Sequence, residues 1–506
     1  MIKKICVLGG GTSGFFTAAI LAKYAKNSNI DLEVKCIYSS KIGIIGVGES
    51  TVISINDALQ FLELKDEDWM AKCNATYKTN IAFESWSGID GDQFFYPFGD
   101  IDANYNNFFD ISARYPEEVT KNDYSRYAIF HSRLAEYNRL TDQKWDFDRF
   151  TAYHFDTHLL SKVLYEYCEK NGVIFHDDEY LSSHHNDSGI EYIFCKESGK
   201  HYADLFVDCT GFKSLLLGKE MGATYETYSN TLINNRALIC KVPYSDKEEQ
   251  LKNYTNNVAM ENGWCWEIPL WDGMSLGYVH SLKFSDKSEI LKEFQSFVGK
   301  RYCIEPENIK ELNFITGRYK DGWIKNVVAV GLSYGFIEPL ESTGIHLGLN
   351  NVLKLLEVIS MHRVINSFDR KLFNYSVGFE IDRQKSFIDM HYAAAHKCDT
   401  KYWNYITNEN EYDWESLNCK HSLNMTMLDR DYSSNFYGGL PFILSGNGYS
   451  PYNPGLIKRK EINLEYIQTK NKWKDLDNKS NEFIKTMKST YKFLQEKIYS
   501  LTQPTT

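Results

Sequence analysis

Apolar and polar positions alternate from the start of the chain in a way that marks elements. Ile2 to Leu8 is a short apolar run, Gly9-Gly10-Gly11-Thr12-Ser13-Gly14 interrupts it, and apolar residues then recur at helical spacing from about Phe15 to Tyr24. A second run, Glu33 to Tyr38, completes a strand–helix–strand unit. Leu205 to Cys209 is another buried-strand pattern that ends in a glycine turn, and Val327 to Val330 is a third. The latter leads through a turn into a periodic apolar stretch, Ile345 to Ile359, that reads as a helix. These returns predict an α/β fold with a discontinuous nucleotide domain over about 1–80, 150–220 and 315–360. The segments 81–149 and 221–314 form a substrate-side sheet in this reading. Residues 361–506 read as helical and aromatic, with an amphipathic stretch from Phe483 to Leu501 and a polar tail.

The first turn is G-x-G-x-x-G, set between a strand and a helix. Gly9 permits the tight turn, Gly11 lets backbone approach a pyrophosphate, and Gly14 lets helix and strand pack closely. Thr12 and Ser13, between the second and third glycines, are read with them as cofactor contacts. The end of the second strand offers Ser39 and Ser40 to a ribose instead of the usual carboxylate. This weakens NAD as the ligand more than FAD. A second glycine-rich loop, Gly43 to Thr51, holds Gly46, Val47, Gly48, Glu49 and Ser50, again suited to close backbone approach.

Charge narrows the partners. With 56 Lys and Arg against 67 Asp and Glu, the net charge of −11 argues against nucleic acid and gives no attraction to an anionic membrane. The eleven cysteines are scattered without C-x-x-C or a Cys/His cluster, so reduced, buried thiols in a cytoplasmic protein are expected, with no metal. The first strand begins almost at Met1, so no signal peptide is expected. No apolar run approaches a membrane span.

Three strings carry chemistry. Gly331-Leu332-Ser333 opens a turn that continues as Glu338-Pro339-Leu340-Glu341-Ser342-Thr343-Gly344-Ile345-His346, placing a carboxylate and two hydroxyls at a helix N-terminus. Gly263-Trp264-Cys265-Trp266-Glu267-Ile268-Pro269 contains W-x-W-x-I-P, and on a strand its two indoles share one face. Thr76-Tyr77-Lys78-Thr79 precedes a short apolar strand and Trp86. In this combination the chain resembles the flavin-dependent tryptophan halogenases. Gly43 to Thr51 is similar to the family's flavin-covering strap. Further family-like strings are Ala152 to Asp156, Asp208 to Phe212 and Ile443 to Tyr449, so the resemblance runs to about residue 455.

The resemblance implies a hydroxylase-like FAD domain, contacted also by Leu332 and Ile345. It implies halide held by the amides of Thr343 and Gly344, and hypohalous acid formed at the flavin from FADH2 and O2. Lys78 then passes the halogen to an electron-rich ring, with Glu341 orienting the oxidant and accepting the ring proton. Trp264, Trp266, Ile268 and Pro269 keep substrate from the flavin. Tyr96, Phe98 and Ser342 would touch substrate. Two positions depart from the tryptophan-specific members: Tyr96 replaces a histidine, and His346 replaces the tyrosine of S-T-G-I-Y-F. The acceptor is therefore left open among tryptophan, other indoles and phenols. With no second dinucleotide motif, a separate NAD(P)H-dependent flavin reductase is the expected partner, and a homo-oligomer is allowed. A flavin-dependent aromatic monooxygenase is the alternative, and a non-catalytic FAD-binding protein the lesser one.

Overall fold

The computed structural model of the chain describes residues 2–43, 48–99, 122–129, 132–142, 146–361, 364–412, 439–448 and 462–500. The fold is mixed α/β. It divides into two compact units, one of Met1–Ala75, Tyr153–Ile233 and Asn313–Lys385, the other of Thr76–Ala152, Asn234–Leu312 and Ser386–Thr506.

The first unit is built on a six-stranded sheet in the order Trp323–Ile324, Val327–Ala329, Leu205–Asp208, Lys4–Leu8, Glu33–Tyr38 and Ile174–Asp177. All neighbours are parallel except the edge pair Trp323–Ile324 with Val327–Ala329. Parallel strands are covered on both faces, which is why Ile5, Cys6, Val7 and Leu8 are all buried rather than alternating. The helix Thr12–Asn27 buries most of its length, including Phe15, Phe16, Ile20 and Leu21. It starts three residues earlier than hydrophobic periodicity suggests, because polar Thr12 and Ser13 form its first turn. The helix Gly344–Met361 leaves the end of the Val327–Ala329 connection.

The second unit contains a seven-stranded sheet in the order Lys310–Asn313, Arg236–Val242, Gly273–His280, Gly263–Leu270, Tyr254–Met260, Asn80–Glu84 and Gln93–Pro97. One face packs Leu238, Cys240, Cys265, Leu276 and Tyr278 against Ile290, Phe294 and Val298 of the helix Lys287–Tyr302. The opposite pleat carries Trp264, Trp266 and Ile268. Asp286 caps that helix by accepting from the amides of Ser288 and Glu289.

The C-terminal stretch differs from the single amphipathic run read over Phe483 to Leu501. The helix Ile462–Lys485 ends, Lys488–Ser489 pairs with Arg139–Leu140, and a new helix, Thr490–Leu494, starts behind a Ser489 cap. The serine hydroxyl accepts from the Lys492 amide, and such local bonding competes with helix continuation. Leu501 lies outside the described residues. The cysteines Cys6, Cys36, Cys73, Cys168, Cys195, Cys209, Cys240 and Cys265 are buried and unbridged, while Cys303 and Cys398 are exposed. Among the described residues no helix is long and apolar enough to cross a membrane, and no cluster is suited to a metal ion.

Candidate active site

In the first unit the glycine turn is shaped for close approach. A Cβ on Gly9, whose φ is +124°, would lie 2.1 Å from the Cys209 carbonyl oxygen, and one on Gly14 would lie 2.0 Å from the Gly9 oxygen. These two glycines serve packing. A Cβ on Gly11 would meet nothing within 4 Å, so this glycine borders open space. Gly11 is also the extended N-cap of the helix Thr12–Asn27 and provides no side chain to occupy its first amides. An open cradle at an uncapped helix N-terminus fits the pyrophosphate of a dinucleotide. Ser13 lies behind it, its hydroxyl 2.4 Å from where a Cβ on Gly331 would stand.

The end of the second strand gains a carboxylate from elsewhere in the chain. The Ser40 amide donates to Asp177 Oδ1 at 2.8 Å, and Asp177 ends the neighbouring strand. Bonds from Ser40 hold the Asp177 carboxyl below its ordinary range. Sequence reading missed Asp177 because it is 137 residues away from Ser40. Ser39 remains half-buried at the strand's end. Gly46 and Val47 lie outside the described residues. Gly48, Glu49 and Ser50 form a short strand paired with His154 to Asp156. Burial pushes the Glu49 carboxyl up to about 7.

The Glu338-to-His346 turn is compact. Pro339–Glu341 is a single 3₁₀ turn, and Ser342 follows in the left-handed region at φ +58°. That conformation reverses the chain into the helix Gly344–Met361. The Ser342 hydroxyl donates to Ser50 Oγ at 3.0 Å, which ties the turn to the strap strand. Glu341 and Thr343 are buried, and Thr343 Oγ1 has no hydrogen-bond partner among the described residues. A Cβ on Gly344 would meet nothing within 4 Å. An orphan hydroxyl, open space and helix amides together suit a small anion. Leu332 and Ile345 are half-buried on either side of this connection. His346 sits within the first helical turn, with Nδ1 2.7 Å from Ser54 Oγ and Nε2 3.4 Å from Glu380 Oε1. The pairing was invisible in sequence, since Ser54 is 292 residues distant.

In the second unit Lys78 ends the strand Thr76–Lys78 and is 0% exposed. Its ammonium nitrogen is 5.3 Å from the centre of the Phe98 ring. Tyr96 is half-buried and stacks on Phe442 at 5.3 Å, with Phe387 edge-on at 6.3 Å. The indoles of Trp264 and Trp266 are 6.2 Å apart and share one face with Ile268. Gly277 lies opposite Trp266, and a Cβ there would come within 1.9 Å of the indole, so Trp266 lies flat against bare backbone. The Trp266 Nε1 is buried without a partner among the described residues. Thr76 donates to the Pro269 carbonyl at 2.6 Å, joining the lysine strand to the end of the tryptophan strand. Glu267, on the other pleat, accepts from Arg301, Tyr302 and Asn256 and fixes the strand from behind.

Solved structures place this architecture among the flavin-dependent halogenases. The chain aligns with the crystal structure of tryptophan 6-halogenase SttH from Streptomyces toxytricini at a TM-score of 0.86, with 28% identity over 97% of this chain and 99% of that one. The apo structure of VirX1 matches at a TM-score of 0.91 and 34% identity, covering 99% of this chain and 100% of the other. A curated relative, the 7-chloro-L-tryptophan 6-halogenase KtzR of Kutzneria sp. (strain 744), is 34% identical over 78% of this chain and 80% of its own length. The tryptophan halogenase model matches residues 4–426, and the chain belongs to the tryptophan halogenase family.

Proposed function

We propose that this enzyme uses FADH2, O2 and a halide ion to halogenate an electron-rich aromatic ring. Tryptophan, another indole or a phenol is the acceptor, and the names of the relatives make tryptophan the first to test. One ring, one halide, one FADH2, one O2 and one proton enter; the halogenated ring, FAD and two waters leave. FAD would rest against Gly9, Gly11, Thr12, Ser13, Gly14 and Ser39, under the strap of Gly46, Val47, Gly48, Glu49 and Ser50, and near Leu332 and Ile345. When bound in reduced form it supplies, with O2, the two-electron oxidation that turns halide into hypohalous acid.

The chain's own groups do the rest. The amides of Thr343 and Gly344 and the orphan Thr343 hydroxyl hold the halide. Lys78 hydrogen-bonds the hypohalous acid, or as a neutral amine forms an N–X bond with loss of water and then yields the halogen to the ring. Glu341 orients the oxidant and takes the ring proton. Trp264, Trp266, Ile268 and Pro269 form an apolar wall that keeps the organic substrate from the flavin. Tyr96, Phe98 and Ser342 position that substrate.

The observation that carries this reading is the complete burial of Lys78. Lysine is almost never fully buried unless its surroundings are built to hold it, which sets this strand position apart from the chain's solvated lysines. The test is product mass spectrometry with FAD, a flavin reductase, NADH and O2, using chloride, bromide or iodide against indoles and phenols. A halide-dependent mass shift that Lys78→Ala loses by about a hundredfold or more, with FAD still bound, is expected. Substantial halogenation by that variant would remove Lys78 from the mechanism, and an oxygen-only shift would mean a monooxygenase.

A further inference from the structure

Residues Thr490–Tyr499 are wound in two ways. Thr490–Leu494 is α-helical, and Gln495–Tyr499 continues it as a single π-helical turn. Single π turns are uncommon and concentrate at functional sites. On an unbroken α-helix of ~3.6 residues per turn, Tyr499 would stand about 80° round from Tyr491. The wider π turn brings it back to the same side, and both rings stack on Trp271. Their centres are 5.5 Å (Tyr491) and 3.7 Å (Tyr499) from the indole, with planes 9° and 7° from parallel. The Lys247 ammonium, 3.3 Å from the centre of the same indole, adds a cation–π contact. Phe493, two residues on from Tyr491, faces the other way. It is 5% exposed, stacks on Phe147 at 5.7 Å and meets Tyr77 edge-on at 6.3 Å. Two polar ties fasten the segment: Ser489 donates to Glu248 Oε1 at 3.0 Å, and the Lys492 ammonium lies 3.1 Å from the same oxygen.

Both rings that this segment grips stand next to groups with a proposed task. Tyr77 precedes Lys78, and on a strand the two side chains point to opposite faces, so Phe493 presses on the back of the lysine strand. Trp271 follows Leu270, the last residue of the strand that holds Trp264, Trp266, Ile268 and Pro269. The Thr76 hydroxyl closes the loop by donating to the Pro269 carbonyl at 2.6 Å. One short segment therefore fixes two strands that are bonded to each other, and all of these residues belong to one compact unit. We infer, resting on the halogen-transfer role proposed for Lys78, that Thr490–Tyr499 is a positioning clamp for that step. Phe493 acts through Tyr77, and Tyr499 acts through Trp271, to hold the lysine in register with the apolar wall. Capture of hypohalous acid by Lys78 depends on placement, and a shift of about 1 Å can cost about a hundredfold. Loosening the clamp lets the oxidant escape to water while its formation goes on, since Thr343, Gly344 and the first glycine turn belong to the other unit.

The test reads two products at once, with the full chain, FAD, a flavin reductase, NADH, O2, bromide, and tryptophan, indole and phenol as acceptors. Ring halogenation is followed by mass spectrometry, and escaped hypobromous acid by bromination of an added β-diketone. Phe493→Ala and Trp271→Leu should each raise the ratio of trapped to ring-bound bromine by about tenfold or more, with the bromide KM unchanged. Trp271→Phe, which keeps a ring against Tyr499, should keep the native ratio. A native ratio in both disruptive variants overturns the inference, and so does a proportional fall of both products, which a merely structural role would give. Hydrogen exchange of the apo chain adds a readout without turnover. The amides of Thr76–Lys78 should exchange about tenfold or more faster in Phe493→Ala, while those of Lys4–Leu8 keep the native rate. Unchanged rates at Thr76–Lys78 overturn the clamp. If exchange responds but the native chain brominates neither ring nor diketone, the halogenase reading fails and the mechanical coupling stands.

Discussion

Single residues set the chemistry, and two of them allow sharp tests beyond Lys78. Thr343 holds a buried hydroxyl that no described residue satisfies. If halide satisfies it, Thr343→Val should raise the halide KM by about tenfold or more while kcat changes little, since a hydrogen bond to a charged partner is worth about 1.5–3 kcal/mol. An unchanged halide KM would take the hydroxyl out of the halide site. Glu49 gives a pH signature. Its carboxyl is raised from 4.5 to about 7 by burial, so the folded state holds the proton more tightly than the unfolded chain. Stability from this group is therefore lost as pH climbs from the unfolded value through about 7, and is level outside that window. Glu49→Gln removes the loss, so the apo variant should gain Tm relative to the native chain on moving from about pH 5 to about pH 8. The same Tm difference at both pH values would contradict the shift.

At the scale of elements, the tryptophan strand depends on its neighbour. Trp266 lies on Gly277 with no room for a methyl group. Gly277→Ala should cost about 1–3 kcal/mol through overpacking and should tilt the indole. Calorimetry would show the first effect, and less halogenated product per FADH2 consumed would show the second. A fully stable, fully coupled variant would mean that the indole can move without consequence. The sequence made the local parts of this legible. The glycine turn, the Pro339-to-Gly344 reversal and the shared face of Trp264 and Trp266 all follow from short-range rules of turn, cap and pleat. What could not be read depends on distant residues arriving at one place. Asp177 reaches the end of the second strand because two parallel strands end together, and His346 bonds Ser54 because the helix Gly344–Met361 packs beside that loop. Arg301 clamps Glu267 from a helix 34 residues on. The same limit hid the break before Ser489, where pairing with Arg139–Leu140 overrides helical periodicity.

For the molecule as a whole, reduced flavin must come from outside if the first turn is the sole dinucleotide site. NADPH with oxidised FAD should then give little halogenated product until a flavin reductase is added, as product yield per NADPH would show; efficient turnover without the reductase would reveal a second nucleotide site. The distribution of cysteines has a practical outcome for use of the enzyme. Burial pushes the thiols of Cys6, Cys73, Cys168, Cys195 and Cys240 up to about 12, so almost none of the reactive thiolate exists at neutral pH. Among the described residues only Cys303 and Cys398 stand exposed. Of the described thiols, those two should therefore react first: serine there would lengthen the working life of the catalyst, and a maleimide dye would find a handle there.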